Sequence, residues 1–128
     1  MANYYGTERT NYFHVKDRKA FDEWASKRGF QVIERDGLVG LMPPAASDEC
    51  TFNTYDPDEN EEFDLLEEVS KHLLGKDVCI LMGSGHEKLR YISGYAEAIN
   101  SKGERKRVDI GNIYDLARTL GCFTYCEY

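Results

Sequence analysis

The sequence predicts a single α+β domain over residues 1–128, in which three helices pack against a mainly antiparallel sheet. Two observations indicate this class. The apolar runs are short and follow one another through hairpin-type turns such as Asp36-Gly37, which favours antiparallel pairing. Between them lie stretches whose apolar residues recur at helical spacing. The predicted element order is β-α-β-β-(β)-α-β-β-β-α, with neither an internal repeat nor a linker that would separate two domains.

The middle of the sheet is predicted to lie between Asp77 and Asn100. Val78–Met82 is an unbroken apolar run of five, typical of a strand that is buried on both faces. Leu89–Ile99 is a second run, rich in tyrosine and isoleucine. Because Gly83 and Gly85 punctuate the segment between them, the two runs predict a hairpin with a six-residue loop.

The N-terminal third predicts a strand, a helix and a hairpin. Thr10–Lys16 alternates in the manner of a strand. Asp17 is a good N-cap for an amphipathic helix over Arg18–Arg28, which the following glycine ends. Two short strands, Phe30–Glu34 and Leu38–Met42, then flank the Asp-Gly turn.

The chain becomes irregular after residue 42, with a short strand predicted at Thr51–Tyr55. Asn60 is the predicted N-cap of a helix that ends at Gly75, and its first turn is acidic, as the helix dipole favours. Beyond the central hairpin, Arg105–Ile110 is the last predicted strand. A final helix is predicted to begin near Asn112.

Composition and cysteine spacing argue against a membrane-spanning protein and against a fold held together by disulfides. The mean hydropathy of -0.59 and the lack of a long apolar run argue against a membrane-spanning protein, so we expect a cytoplasmic one. The four cysteines show no CxxC spacing, and in a reducing compartment they are expected to be free thiols. Cys122 and Cys126 have no second pair of ligands nearby, so no metal site is predicted there.

The charge is distributed unevenly along the chain. The formal net charge is -7, yet Asp36–Ser70 contains eleven acidic residues and no Lys or Arg. The remainder holds 12 acids and 16 bases and is mildly positive. The acidic segment is therefore the first place to look for a partner-binding surface.

Three interpretations of the acidic segment stay open. Starting at Asp56, oxygen side chains fall at several positions of a calcium-loop register, but Glu61 replaces the glycine of its sharp turn. The segment also suits a solvated helix N-terminus. A third interpretation is an acidic surface that binds a basic groove, or that imitates the phosphates of DNA in such a groove. Its candidate partner-binding residues are Asp48, Glu49, Asp56, Asp58, Glu59, Glu61, Glu62 and Asp64.

A basic cluster offers an alternative nucleic-acid contact. Its members are Lys88, Arg90, Lys102, Arg105, Lys106 and Arg107. The acidic net charge argues against direct nucleic-acid binding, which depends on positive potential. Arg105 and Arg107 share one strand face, so they could instead pair with acids on a neighbouring strand.

The sequence predicts neither a catalytic residue nor a cofactor. Gly83-Ser84-Gly85-His86 follows a predicted strand but lacks the third glycine of a dinucleotide fingerprint and the Lys-Ser/Thr pair of a P-loop. An enzyme would need a pocket that brings Cys79, His86 or His14 together. We therefore interpret the protein as a non-enzyme.

Two blocks of the sequence carry a resemblance. They are ANYYGTERTNYFHVKD with Phe21 and Trp24 after it, and HEKLRYISGYAEAINSKGE continuing to IYDLA. They resemble a group of small uncharacterised proteins carried by phages, plasmids and other mobile elements, often beside antirestriction genes. The resemblance implies an inhibitor of host defence, of the anti-CRISPR or antirestriction type, whose partner is a defence protein or ribonucleoprotein complex. The alternative is an accessory protein of a mobile element that contacts nucleic acid through residues 102–107.

Overall fold

The computed structural model describes residues 4–44, 51–87 and 90–126. Within them the strands are β1 (Tyr4–Thr10), β2 (Gln31–Arg35), β3 (Leu38–Met42), β4 (Tyr55–Asp56), β5 (Glu61–Glu62), β6 (Val78–Glu87), β7 (Arg90–Asn100) and β8 (Arg105–Asp109). The helices are α1 (Arg18–Arg28), α2 (Leu65–Ser70) and α3 (Ile113–Ala117), with a 3-10 turn over Ile110–Asn112 leading into α3. None of the described helices is long and apolar enough to cross a membrane.

The predicted α+β class with a mainly antiparallel sheet is confirmed. The main sheet has the order β1-β6-β7-β8, and every neighbouring pair in it is antiparallel. The predicted central hairpin is therefore the middle of the sheet. The strand pairs β2–β3 and β4–β5 form two small separate sheets, because each is a local hairpin.

One face of the main sheet, the inner face, forms one wall of the hydrophobic core. Cys79 and Leu81 of β6 and Ile99 of β7 point to this face. Helix α2 packs on it through residues that include Val69, and the ring of Phe21 on α1 is fully buried in the same cluster. We call the opposite side of the main sheet the outer face.

The structure contradicts the expectation that Val78–Met82 is buried on both faces. Cys79 is fully buried and Leu81 is 8% exposed, whereas Val78 is 38% and Met82 59% exposed. The helices α1 and α2 contribute to the core on the inner face, so alternate residues of β6 remain accessible on the outer face. An apolar run of five thus belongs to a strand with one buried side.

The loop predicted at Gly83–Lys88 is also wrong in its extent. β6 continues through Glu87, and its Gly83–Gly85 half pairs with both β1 and β7. Glycine at 83 is needed for packing, because a Cβ atom there would lie 2.5 Å from Cζ of Tyr95. Here the glycines mark a close approach of a ring to the backbone, which a sequence pattern does not distinguish from a turn.

The first strand lies earlier than predicted, at Tyr4–Thr10 and not at Thr10–Lys16. At Asn11 the chain leaves the main sheet for β3, and Phe13 exchanges backbone hydrogen bonds of 2.8 and 2.9 Å with Val39. The side chain of Asn11 accepts from the N–H of Ile80 at 2.8 Å and donates to the carbonyl of Val78 at 3.0 Å. The amide thereby satisfies the backbone groups of β6 that β1 no longer reaches.

The helix predicted to be capped by Asn60 begins four residues later. Asn60 has φ of +53°, a left-handed conformation that asparagine tolerates in turns, and Glu61–Glu62 form β5. The N-cap of α2 is Asp64, whose side chain accepts from the N–H of Glu67. Of the strand predicted at Thr51–Tyr55, only Tyr55 lies in a strand.

The bounds of α1 match the prediction fully, whereas α3 matches it in position but not in burial. α1 has the predicted bounds, with Asp17 as its N-cap and Gly29 at φ of +80° as its C-cap. α3 begins at Ile113, one residue from the prediction, but none of its residues is buried. The C-terminal helix therefore adds nothing to the core of the chain.

Replacing Asn11 tests the passage between the two sheets. Asn11→Ala should lower the free energy of unfolding by about 1–3 kcal/mol, because the N–H of Ile80 loses its acceptor in a partly buried place. Urea denaturation measures the change. The control is Asn53→Ala, which removes only an exposed turn hydrogen bond to Tyr55 and should cost about 0.5 kcal/mol. Equal losses in the two variants would contradict the role assigned to Asn11.

Candidate functional site

The acidic residues from the sequence meet in a small hairpin, Tyr55–Glu62, which we call the acidic hairpin. Tyr55 pairs with Glu62, and Asp56 with Glu61. The side chain of Asp56 accepts from the N–H of Asp58 at 2.9 Å and shapes the turn. Tyr55 also donates its hydroxyl hydrogen to Asn60. These hydrogen bonds hold the polar residues of the acidic hairpin in one conformation.

Arg28, the last residue of α1, anchors this hairpin to the body of the protein. Its Nη1 lies 2.8 Å from Oδ2 of Asp56, and its Nη2 lies 2.8 Å from Oε2 of Glu68 on α2. The guanidinium carbon lies 3.8 Å from the ring centroid of Phe63, and Trp24 donates to the same Glu68 at 2.7 Å. One guanidinium therefore joins both helices and the acidic hairpin.

The anchor changes the chemistry of Asp56. The hydrogen bond from Arg28 lowers the pKa of the Asp56 carboxyl, against a smaller opposing effect of desolvation. The N–H groups of Asp58 and Glu59 lower it further. Asp56 is therefore an ionised structural group and is not free to bind a partner.

Four other carboxylates of the hairpin differ from Asp56 in being exposed. They belong to Asp58, Glu59, Glu61 and Glu62. Among the described residues, none of the four forms an ion pair with a Lys, Arg or His side chain. A compact patch with a formal charge of -4 is thus presented to solvent on a fixed support.

Asp64, which follows the hairpin, is already engaged. It caps α2 and forms an ion pair with Arg105 of β8. Desolvation raises the pKa of Asp64, but the hydrogen bonds from Arg105 and from the N–H of Glu67 outweigh it, so the pKa is lowered. The remaining acidic candidates, Asp48 and Glu49, lie outside the described residues.

On the N-terminal side of the acidic hairpin, Glu8 of β1 fixes the segment that leads into it. Glu8 accepts from the N–H of Phe52 at 2.9 Å and from the hydroxyl of Tyr95. Burial raises the pKa of Glu8, and the hydrogen bond from Phe52 only partly offsets this. The acidic hairpin is therefore held on both sides, through Phe52 before it and through Asp64 after it.

The four members of the basic cluster whose side chains the structure describes do not share one surface. Arg105 and Arg107 point to the inner side of β8, and both contact Glu97 of β7, at 2.7 and 3.6 Å. Lys106 points to the outer face, and Lys102 lies in the turn before β8. Arg90 is described only as the first residue of β7, and Lys88 lies outside the described residues.

The side chains considered for catalysis are also separated. Cys79 points into the core, where burial raises the pKa of its thiol to about 12. His86 is exposed near the far end of the same strand. His14 donates its backbone N–H to Asp77 at 2.6 Å, and its ring Nδ1 lies 2.8 Å from the same carboxylate.

Three of the oxygen side chains in the calcium-loop register have other partners. Asp56 is paired with Arg28, Asn60 accepts from Tyr55, and Asp64 caps α2. In the described parts of the chain, no group of three or more His, Cys, Asp or Glu side chains has an arrangement that could hold a metal ion. The hairpin is organised by hydrogen bonds and by Arg28.

Sequence reasoning missed Arg28, Glu68 and Trp24. Arg28 looked like an ordinary basic residue in the last turn of a helix, where it interacts well with the dipole. The only available signal was the absence of Lys and Arg from Asp36–Ser70, which means that any ion pair of the acidic segment must reach a distant part of the chain.

Replacing Arg28 tests the anchor. Arg28→Leu should lower the free energy of unfolding more than Arg18→Leu, which removes two exposed ion pairs, each worth about 0–1 kcal/mol. The emission of Trp24, the single tryptophan, should shift in the Arg28 variant, because Glu68 loses one of its two donors. An unchanged emission spectrum together with equal stability losses would contradict the anchor.

Acid should weaken the same region. Because the pKa values of Asp56 and Asp64 are lowered in the folded state, the stability that they contribute is present above their unfolded pKa, about 3.9, and is lost as the pH falls through the folded values. Denaturation curves between about pH 6 and pH 2 should show this loss. The double variant Asp56→Asn, Asp64→Asn should be less stable at the higher pH and lose less on acidification. A loss as steep as that of the unaltered protein would contradict this assignment.

The chain was compared with protein-family models, with curated proteins and with solved structures. No match is found in any of the three comparisons. Function is therefore inferred from the exposed carboxylates and their support.

Proposed function

We propose that the protein is a non-enzymatic inhibitor of a host defence system, of the anti-CRISPR or antirestriction type. The carrying observation is the acidic hairpin, in which Asp58, Glu59, Glu61 and Glu62 are exposed and Arg28 fixes the base. The resemblance of the chain ends to proteins of mobile elements supplies the setting. The proposed partner is a defence protein or ribonucleoprotein complex with a basic groove.

The arrangement suits recognition of a nucleic-acid-binding groove. A channel that holds nucleic acid is lined by Lys and Arg, and closely spaced carboxylates compete for those side chains as phosphates do. Because the backbone of the hairpin is already ordered, binding restricts only the carboxylate side chains and not the loop that carries them. Long-range attraction should make association fast and strongly dependent on salt.

A binding role also fits the separation of the candidate catalytic groups. The thiol of Cys79 is buried and protonated at neutral pH, while His14 and His86 lie outside the core. The proposed activity therefore consists of occupying the partner's surface. It requires no covalent step.

Neutralising the four exposed carboxylates tests the proposal. Asp58→Asn, Glu59→Gln, Glu61→Gln and Glu62→Gln together change the formal net charge from -7 to -3. We expect affinity for the captured defence complex to fall by at least about tenfold, mainly through slower association. Asp56 is left unchanged, because its loss would release the hairpin. Pull-down from a nuclease-treated host lysate at low and high salt, with mass spectrometry, identifies the complex.

The matched control carries the same net charge in another place. Glu23→Lys with Glu104→Lys also changes the net charge from -7 to -3, at exposed positions away from the hairpin. This variant should keep both capture and the ability to protect an incoming plasmid from restriction or CRISPR interference. If both variants lost capture and protection equally, the effect would come from the net charge and not from the acidic hairpin. Full capture and protection by the neutralised variant would contradict the proposal.

A further inference from the structure

The outer face of the main sheet exposes a continuous apolar surface. Eleven large hydrophobic residues are exposed in the described parts of the chain, and three of them, Tyr55, Leu74 and Tyr125, lie elsewhere. The other eight belong to the outer face, to the turn after β8 or to the α3 segment. They are Val78, Met82, Ile92, Val108, Ile110, Ile113, Leu116 and Leu120. Such clustering is uncommon on a protein that acts alone.

The outer face is shaped as a groove. The central strand β7 carries small residues there, Gly94, Ala96 and Ala98, while Met82 of β6 and Val108 of β8 project on either side. Ile110 lies over Gly94, where a Cβ atom would be 2.9 Å from its Cγ2. Two hollows of about 200 and 460 Å³ follow one another along this face of β7 and share Ala96. A third, of about 440 Å³, adjoins them at Gly94 and Ile110, and Ile113 of the same chain forms part of its wall.

The dimensions of the groove match a helix. The backbones of β6 and β8, which carry the walls, are two strand spacings apart, about 9.6 Å. A helix about 10 Å across can therefore lie over β7 with its side chains interleaved with those of the walls. From Ile92 to Ala98 the groove is about 20 Å long. An eight-residue helical segment is about 12 Å long and fits within it.

The chain itself carries a matching helical ridge. Ile113 and Leu116 are three residues apart on one side of α3, and Leu120 lies in the hydrogen-bonded turns that continue from Ala117. They are 57%, 63% and 91% exposed, so their own chain leaves this ridge uncovered. One molecule therefore presents both a groove and a ridge that fits it.

We infer that the protein forms a two-fold symmetric dimer in which the α3 segment of each copy lies in the outer-face groove of the other. Reciprocal exchange closes the assembly and covers exposed apolar residues of both the groove and the ridge in one step. Each half-exposed side chain offers on the order of 50 Å² of apolar surface, so eight from each copy bury about 800 Å² before the rims are counted. With its rims the interface approaches the size of specific interfaces, about 1,200–2,000 Å².

The charges do not oppose this occupant. Among the described residues, the charged side chains in the outer-face register of the main sheet are Arg9 of β1 and Lys106 of β8. The α3 segment carries Asp115 and Arg118, which pair with each other. It therefore has no net charge that would repel it from these cations.

Sedimentation equilibrium under reducing conditions tests the inference, with reductant present because Cys122 and Cys126 are exposed thiols. The unaltered chain should sediment with twice its 14.7 kDa mass. Val108→Glu in the groove and Leu116→Glu on the ridge should each weaken the dimer by at least tenfold, with an unchanged circular dichroism spectrum. The control Leu74→Glu, at an exposed leucine elsewhere, should remain dimeric.

Mixing the two variants gives the sharper test. The Val108→Glu copy keeps its ridge and the Leu116→Glu copy keeps its groove, so a mixed dimer contains one intact contact. The mixture should therefore dimerise more strongly than either variant alone. A monomeric unaltered chain would overturn the inference and leave the groove to a partner's helix. Dimers that persist in both variants, or that are not restored by mixing, would overturn it as well.

Discussion

The candidate site depends on the ion pairs that the guanidinium of Arg28 forms with Asp56 and Glu68. This guanidinium lies at the end of α1, where it meets Glu68 of α2, Asp56 of the acidic hairpin and the ring of Phe63. A guanidinium suits this place because its planar set of donors serves two carboxylates at once while its face stacks on an aromatic ring. Without that cation, a segment that carries only acids would repel itself and the acids around it.

The main sheet separates two kinds of surface. Its inner face carries the core and, toward β8, the carboxylate of Glu97 between two arginines. Its outer face carries aliphatic side chains with basic residues on the flanks. The acidic hairpin lies beyond the inner face, beside α2. Because these surfaces do not overlap, an apolar contact between copies and a polar contact with another protein are structurally compatible.

Local signals predicted some parts of this structure and not others. The bounds of α1 follow from Asp17, Gly29 and the spacing between them, and these are short-range effects. The acidic patch was visible because it is contiguous in sequence. The support for it was not, because Arg28 meets Asp56 and Glu68 through tertiary packing. The start of α2 was misplaced because asparagine suits both an N-cap and a left-handed turn.

The exposed strand β8 also bears on how the protein can associate. Its three successive residues Arg105, Lys106 and Arg107 lie along the open edge of the main sheet. An unpaired edge is a template for strand-by-strand polymerisation, and charged side chains on an edge strand disfavour it. Here Arg105 and Arg107 are held in ion pairs that a second copy would have to displace, and Lys106 keeps its charge on the other face. The edge is therefore protected against open-ended growth into fibres. The proposed contact between copies uses the face of the sheet instead, where an assembly can close on itself and stay small.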